Sequence, residues 1–241
     1  MDGATRTIST TCSIVGGGPA GMMLGLLLAR AGIDVVVLEK HADFLRDFRG
    51  DTIHPSTLEL LSELGLLEEF LQRPYQQMRE IRGVIGGQTF QFADFSHLPT
   101  HAKFIAFMPQ WEFLNFVAEK AKQYPTFHLV MQADVTELIE EQDRVVGVRA
   151  TTPEGELEVR SLLTVGCDGR HSTVRQQAGL EVEDLGAPID VLWLKLSRKA
   201  SDDDQPLGRF GRGAAMVMLN RDTYWQCAYI IRKGGNEQIR S

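Results

Sequence analysis

One stretch near the amino terminus constrains this chain more than any other. It runs Cys12-Ser13-Ile14-Val15-Gly16-Gly17-Gly18-Pro19-Ala20-Gly21, then a long apolar run, then Val35-Val36-Val37-Leu38-Glu39. The order is strand, glycine turn, helix, strand, acid. A G-x-G-x-x-G between a strand and a helix is suited to the diphosphate of a dinucleotide. Gly16 permits the sharp turn, Gly18 lets backbone approach a phosphate, and Gly21 lets the helix pack closely on the sheet. Pro19 and Ala20 open the helix, whose free N–H groups and positive dipole end would face the phosphates. Glu39, with Lys40 after it, ends the second strand, where a carboxylate accepts hydrogen bonds from a ribose and repels a 2′-phosphate. Small residues recur at helical spacing through Gly25 and Ala29, and Gly32 ends the helix.

Composition narrows the classes. A hydrophobic fraction of 43% and a charged fraction of 24% are those of an ordinary soluble globular chain. A formal charge of -7 argues against a nucleic-acid partner, which needs a basic stripe. Cys12, Cys167 and Cys227 are widely spaced and form neither a metal motif nor a disulfide framework, so a cytoplasmic location is expected. The uncharged run from Thr7 to Ala29 is interrupted by Gly16-Gly17-Gly18-Pro19, which argues against a membrane span. His54, His97, His101 and His171 show no ligand spacing, so no metal site is expected.

Taken in order, residues 1–9 read as a disordered leader and roughly 10–40 as a β-α-β unit. A charged loop with Arg46 and Arg49 follows. Pro55 then opens a helix with Leu58, Leu61 and Leu64 on its apolar face, and Gly65 stops it. Ile81–Ile85 and Gln88–Phe92 form a hairpin around Gly86-Gly87. Phe104–Met108 is a strand, and Pro109-Gln110 opens a helix with Phe113, Phe116 or Val117, and Ala121 as its stripe. Phe127–Met131 returns to the sheet. Val135–Glu141, Val145–Thr151 and Glu156–Ser161 alternate as an antiparallel meander, and Leu162–Val165 is a separate short buried strand. Cys167-Asp168-Gly169-Arg170-His171-Ser172 leads into a helix ending at Gly179. Ser201–Pro206 is a surface loop, and Gly208–Gly213 a hairpin turn. Ile189–Ser197, Ala214–Asn220 and Tyr224–Ile231 suggest a second, antiparallel sheet, with a boundary near 180–187.

Gly16–Gly21 with Glu39, the Arg49 loop and the Asp168-Gly169 segment occur here in an order and spacing that resemble the single-component FAD-dependent aromatic hydroxylases, flavoprotein monooxygenases similar to para-hydroxybenzoate hydroxylase. The likeness spans roughly residues 10–235. It implies an α/β fold: a Rossmann-like FAD-binding domain over 10–185, with a parallel sheet and antiparallel β-meander. Residues 186–241, with a contribution from 75–108, would form part of an antiparallel β-sheet substrate domain. It also implies an oxidoreductase with FAD as cofactor, NAD(P)H and oxygen as co-substrates, and an aromatic or polyketide-like small molecule as substrate. Carried over by position, Gly16, Gly18, Pro19, Ala20 and Gly21 hold the diphosphate, and Glu39 and Lys40 lie at the adenosine ribose. Arg49 and Gln110 contact the flavin nucleotide, and backbone at Val135 meets the adenine. Asp168 and Gly169 serve the diphosphate and the approach of the nicotinamide.

From the residues themselves several roles stay open. Asp168 either accepts from sugar hydroxyls or caps the following helix. Arg49 is equally a solvated loop cation, and Gln110 an ordinary first helical residue. Met216, Met218, Trp225, Cys227 and Tyr229 either line a pocket or bury one sheet face. The chain departs from the family in lacking its second Gly-Asp motif after residue 187, so a truncation or fragment of a longer enzyme is expected. The rivals are a flavin-dependent reductase or halogenase of the same fold, and a non-catalytic nucleotide-binding fragment. Oligomeric state is not legible, and no side chain is assigned as catalytic, because FAD carries the chemistry.

Overall fold

The computed structural model describes residues 6–45, 51–199, 201–202, 207–221 and 223–236. In chain order the elements begin with β1 (Arg6–Val15), α1 (Pro19–Arg30), β2 (Val35–Glu39), β3 (Thr52–Ile53), α2 (Pro55–Glu63) and α3 (Leu67–Phe70). Next come β4 (Gln76–Met78), β5 (Glu80–Ile85), β6 (Gln88–Asp94), β7 (Ile105–Phe107), α4 (Gln110–Ala121) and β8 (Phe127–Met131). β9 (Asp134–Glu141), β10 (Arg144–Thr152), β11 (Gly155–Gly166) and α5 (Thr173–Gln177) follow. The last strands are β12 (Ile189–Ser197), β13 (Leu207–Gly211), β14 (Ala214–Asn220) and β15 (Tyr224–Arg232).

The chain divides into two compact units. The first comprises residues 1–46 and 110–183, and the second 47–109 and 184–241. The first unit is built on one sheet in the order β8-β2-β1-β11-β10-β9. Its first four strands are parallel and the last two form the antiparallel meander. β2 is Val35-Val36-Val37-Leu38-Glu39 and wholly buried, as a parallel strand covered on both faces should be. On one face lies α1. A Cβ added at Gly25 would come 2.8 Å from Val37 Cγ2 and 2.9 Å from Phe127 Cε2, so glycine sets how closely this helix approaches the sheet. α4 packs beside α1 and buries Phe113, Phe116, Val117 and Ala121. Side chains of the meander, among them Val135, Leu138, Val148 and Val159, join Val15, Val36 and Leu38 in one apolar cluster. The buried Ser13 hydroxyl bonds to Ser161 Oγ at 2.8 Å and Thr164 Oγ1 at 3.0 Å, tying β1 to β11 with polar groups satisfied.

The second unit holds two sheets, β12-β15-β14-β13-β5-β6 and a small β3-β7-β4. Arg221, after β14, forms a buried ion pair with Asp51 at 2.6 Å and donates from Nε to Gln226 Oε1 at 3.0 Å. Trp225 and Cys227 are buried, whereas Met216, Met218 and Tyr229 are half-buried on the same sheet. Trp193, Phe90, Phe92 and Phe210 stay exposed, with Phe92 and Phe210 edge to face at 5.4 Å.

Several expectations are corrected. Arg6–Ser9 do not form a leader: they begin β1, paired with Leu157–Arg160 of β11. Backbone pairing with β11 orders them, helped by Ile8, which packs against the apolar cluster of the sheet. Glu156–Ser161 and Leu162–Val165 are one strand, because β1 pairs with β11 in a single register from Leu157 to Gly166. Leu162 and Leu163 are exposed on it, since the β10 pairing stops at Arg160. Leu207–Gly211 is a strand, and only Arg212-Gly213 is turn. The charged loop with Arg46 and Arg49 and most of Ser201–Pro206 lie outside the described residues.

Candidate functional site

The carboxyl ends of β1, β2 and β11 converge on the glycine turn, the place where open α/β sheets collect ligands. β1 and β2 pair up to Val15 and Leu38, and the next rung is the Gly16 N–H donating to the Leu38 carbonyl at 2.8 Å. There the chain bends. Gly16 has φ +106°, and a Cβ would run into the Cys167 carbonyl, so both conformation and space require glycine. The Cys167 N–H donates to the Val15 carbonyl at 2.6 Å, which seats the Cys167-Asp168-Gly169 segment against the turn. The two motifs, some 150 residues apart, form one place.

Gly21 also needs to be glycine, for two reasons. Its missing Cβ makes room for the Gly16 carbonyl, inside the turn. A Cβ there would also come 3.2 Å from Ile14 Cγ2 of the sheet, which Gly25 meets one turn further on. Gly18 is different: a Cβ there would meet nothing within 4 Å. It precedes α1 in an extended conformation (φ -72°, ψ -177°), gives no side-chain cap, and Pro19 follows at the first helical position. The first turn carries no acidic residue. The N–H groups of Gly18, Ala20 and Gly21 have no partner among the described residues, and Pro19 and Ala20 are exposed. Unpaired donors at a helix N-terminus over open space make an anion cradle.

Glu39 faces this turn. It is 8% exposed, with Oε2 accepting from the Gly17 N–H at 2.9 Å and Oε1 from the His41 N–H at 3.0 Å. Its own carbonyl accepts from Ala133 N–H, and His41's from Gln132 N–H, so the turn after β8 braces the acid's backbone. Lys40 is exposed.

The two oxygens of Asp168 have different surroundings. Oδ2 accepts from the Val174 N–H at 3.2 Å, at the start of α5, whose own N-cap, Ser172, accepts from Arg175 N–H at 3.0 Å. Oδ1 is shielded from solvent and has no hydrogen-bond partner among the described residues. A buried carboxylate oxygen without a donor marks a place for a ligand hydroxyl or bound water. Burial, and then the Asp168 charge, raise the Cys167 thiol above the ordinary thiol range. Burial and Cys167 do the same for Cys12. Gly169 has φ +86° over open space.

The remaining candidates are placed less directly. Gln110 is the first residue of α4, half-buried and without a side-chain partner among the described residues. The Val135 side chain belongs to the apolar cluster beneath the turn, and its backbone pairs with Ala150 of β10. Arg49 lies outside the described residues. The structure therefore gathers Gly16–Gly21, Glu39, Asp168 and Gly169 in one site. Missed by sequence reasoning were the Gly17 amide, which Glu39 engages, and Ser172, the helix cap. The Ser172-Thr173-Val174-Arg175 order carried the signal for the cap.

Open backbone donors, a glycine without a neighbour, a flanking acid and an unpartnered carboxylate oxygen fit the ADP half of a dinucleotide. Residues 9–224 match the family described as FAD binding domain. The chain belongs to that family. Among curated relatives, 6-methylpretetramide 4-monooxygenase of Streptomyces rimosus is 34% identical over 193 residues, covering 80% of this chain and 46% of the relative. Dialkyldecalin synthase of Streptomyces rugosporus is 30% identical over 193 residues, covering 77% of this chain and 38% of the relative. Among solved structures, p-nitrophenol 4-monooxygenase PnpA of Pseudomonas putida superposes with a TM-score of 0.82 at 22% identity, over 98% of this chain and 61% of that one. The anhydrotetracycline hydroxylase OxyS of Streptomyces rimosus reaches 0.77 at 26% identity, over 94% and 46%. The chain thus spans less than half the length of these two curated relatives. No helix among the described residues is long and apolar enough to cross a membrane.

Proposed function

We propose that this chain supplies the FAD site of an NAD(P)H- and oxygen-dependent monooxygenase acting on an aromatic or polyketide-like small molecule. The observation that carries the reading is the convergence of the Gly16–Gly21 turn, Glu39 and the orphaned Asp168 Oδ1 at one end of a parallel sheet. The names of the relatives support the choice of reaction: a 6-methylpretetramide monooxygenase at 34% identity and a para-nitrophenol monooxygenase at 28%.

In this reading the N–H groups of Gly18, Ala20 and Gly21 hold the diphosphate and the α1 dipole stabilises its charge. Glu39 accepts from the adenosine ribose, and its negative charge excludes a 2′-phosphate from that place. Asp168 Oδ1 accepts from a hydroxyl of the cofactor or from a water beside it, while Oδ2 stays on Val174. Bound FAD supplies hydride acceptance and oxygen activation; the chain's own residues supply position and charge. Arg49, Gln110 and backbone near Val135 are assigned to the same cofactor. Lys40, exposed beside Glu39, lies at the ribose edge. The β14–β15 face bearing Met216, Met218 and Tyr229 is assigned to the substrate.

The test is direct. The purified protein should bind FAD, with yellow absorbance that survives gel filtration or with saturable quenching on titration. It should consume NADH or NADPH faster when a phenol or polyketide acceptor is added, giving oxygenated product. Absence of FAD binding sinks the proposal. The dialkyldecalin synthase, at 30% identity, motivates a second reading, in which the nucleotide site is kept and oxygen transfer is not performed. FAD binding with no oxygen uptake across the acceptor panel would select it.

A further inference from the structure

Gly17 lies one residue beyond the last backbone rung between β1 and β2. Gly16 N–H still reaches a carbonyl, that of Leu38, but the next donor is carried away by the bend. Its partner is the Glu39 side chain, whose Oε2 accepts from Gly17 N–H at 2.9 Å. The carboxylate acts as one further rung of the ladder. Both groups are largely buried, so solvent does not readily make good a broken bond between them. The fit is close: a Cβ on Gly17 would lie 2.8 Å from Glu39 Cβ. Glu39 Oε1 is itself held by the His41 N–H, and its backbone carbonyl by Ala133 N–H. The acid therefore arrives at the turn already fixed at its stem and tip.

We infer that Glu39 is a positioning residue for the diphosphate cradle, independently of any contact with a ribose. By pinning the Gly17 amide it fixes the path of the chain into Gly18, and with it the aim of the Gly18, Ala20 and Gly21 donors. Without the carboxylate a buried donor is orphaned, and the turn relieves this only by moving. Gly17 N–H is then no phosphate donor, and the cradle works through the three amides after it. This role rests on the nucleotide-site reading and adds to it that one side chain serves both sugar and diphosphate.

The two roles separate when the sugar hydroxyls are removed from the probe. ADP and 2′,3′-dideoxy-ADP are titrated calorimetrically into the unaltered protein, Glu39→Ala, Glu39→Asp and Glu39→Gln. Loss of a buried hydrogen bond to a charged acceptor should weaken dideoxy-ADP about tenfold in Glu39→Ala. Glu39→Asp, too short to reach Gly17, should show a similar loss while keeping the charge. Glu39→Gln, whose oxygen can still accept from Gly17 N–H while its NH2 faces the His41 N–H, should lose less dideoxy-ADP affinity than Glu39→Ala. Amide exchange at Gly17 in the ligand-free protein should quicken in Ala and Asp variants while the β1 and β2 amides stay protected. Dideoxy-ADP affinity unchanged in both variants, with ADP weakened, would overturn the inference and leave the nucleotide site standing. If the unaltered protein binds neither nucleotide, the site reading itself falls. Should Glu39→Ala fail to fold, the Asp and Gln pair decides.

Discussion

Two helices start at this site and are built in opposite ways. At the head of α5, side chains occupy the donors: Ser172 Oγ takes the Arg175 N–H and Asp168 Oδ2 the Val174 N–H. At the head of α1, no side chain caps, no acid stands in the first turn, and the space beyond Gly18 is open among the described residues. A helix N-terminus left without caps is destabilised by its unpaired donors unless something else pairs them. One end is closed by its own side chains; the other, in the proposed reading, is left for an anion. The contrast also separates the glycines: Gly16 and Gly21 are needed for the turn's shape, whereas no described neighbour requires glycine at 18.

The sharpest way to break this comparison is at the turn itself. Gly16→Ala forces a side chain into a left-handed conformation and into the Cys167 carbonyl, and Gly21→Ala drives a methyl into the Gly16 carbonyl. Each should cost about 3 kcal/mol or more of stability, through strain and overpacking, seen as a large drop in denaturation midpoint. Next is Gly18→Asp, which gives α1 the cap that α5 has. The fold should tolerate it, since the conformation is ordinary and the space empty, with stability changed by no more than about 0.5 kcal/mol. Nucleotide affinity should nevertheless fall about a hundredfold, because a carboxylate occupies the cradle and repels the diphosphate. An Asp variant that binds ADP normally would mean that α1 does not present the anion site.

A smaller effect is expected at the closed end. Ser172→Ala should cost about 1 kcal/mol of stability, as N-cap losses do, and leave ADP affinity within about twofold. The smallest concerns Cys167, whose thiol is raised by burial and then by Asp168. A raised thiol pKa means less thiolate at mildly alkaline pH, so alkylation by iodoacetamide should be slower than for a free cysteine and rise toward higher pH. Asp168→Asn should speed it modestly, and bound ADP or FAD should slow it further.

Much of the first unit was legible because its constraints are local. Glycine spacing, the valine run of β2 and the acid at its end placed the turn, α1 and β2 closely, while the start of β1 at Arg6 was missed by four residues. The hairpin at Gly86-Gly87 was equally local. What escaped was set by partners far along the chain. Arg6–Ser9 look unstructured alone because their order comes from β11, some 150 residues later. The unity of β11 was hidden because its antiparallel partner stops at Arg160 while its parallel one continues. At the site, residue types announced a diphosphate turn, but the Glu39–Gly17 bond depends on a three-dimensional meeting of side chain and backbone. Asp168 was ambiguous for the same reason: two oxygens of one carboxylate have different surroundings.

The pairing of β1 with β11 also sets a timetable. β1 emerges from the ribosome before the strands that flank it, yet its longest partnership waits for residues 157–166, and the seating of Gly16 waits for Cys167. Until then β1 has only β2 beside it for the short stretch Cys12–Val15. Synthesis of the whole insertion 47–109 falls in that interval. A nascent chain halted before the Asp168 segment would therefore hold its glycines in sequence but not their bend, and ADP retention by stalled chains of increasing length should switch on only after that segment has cleared the exit tunnel.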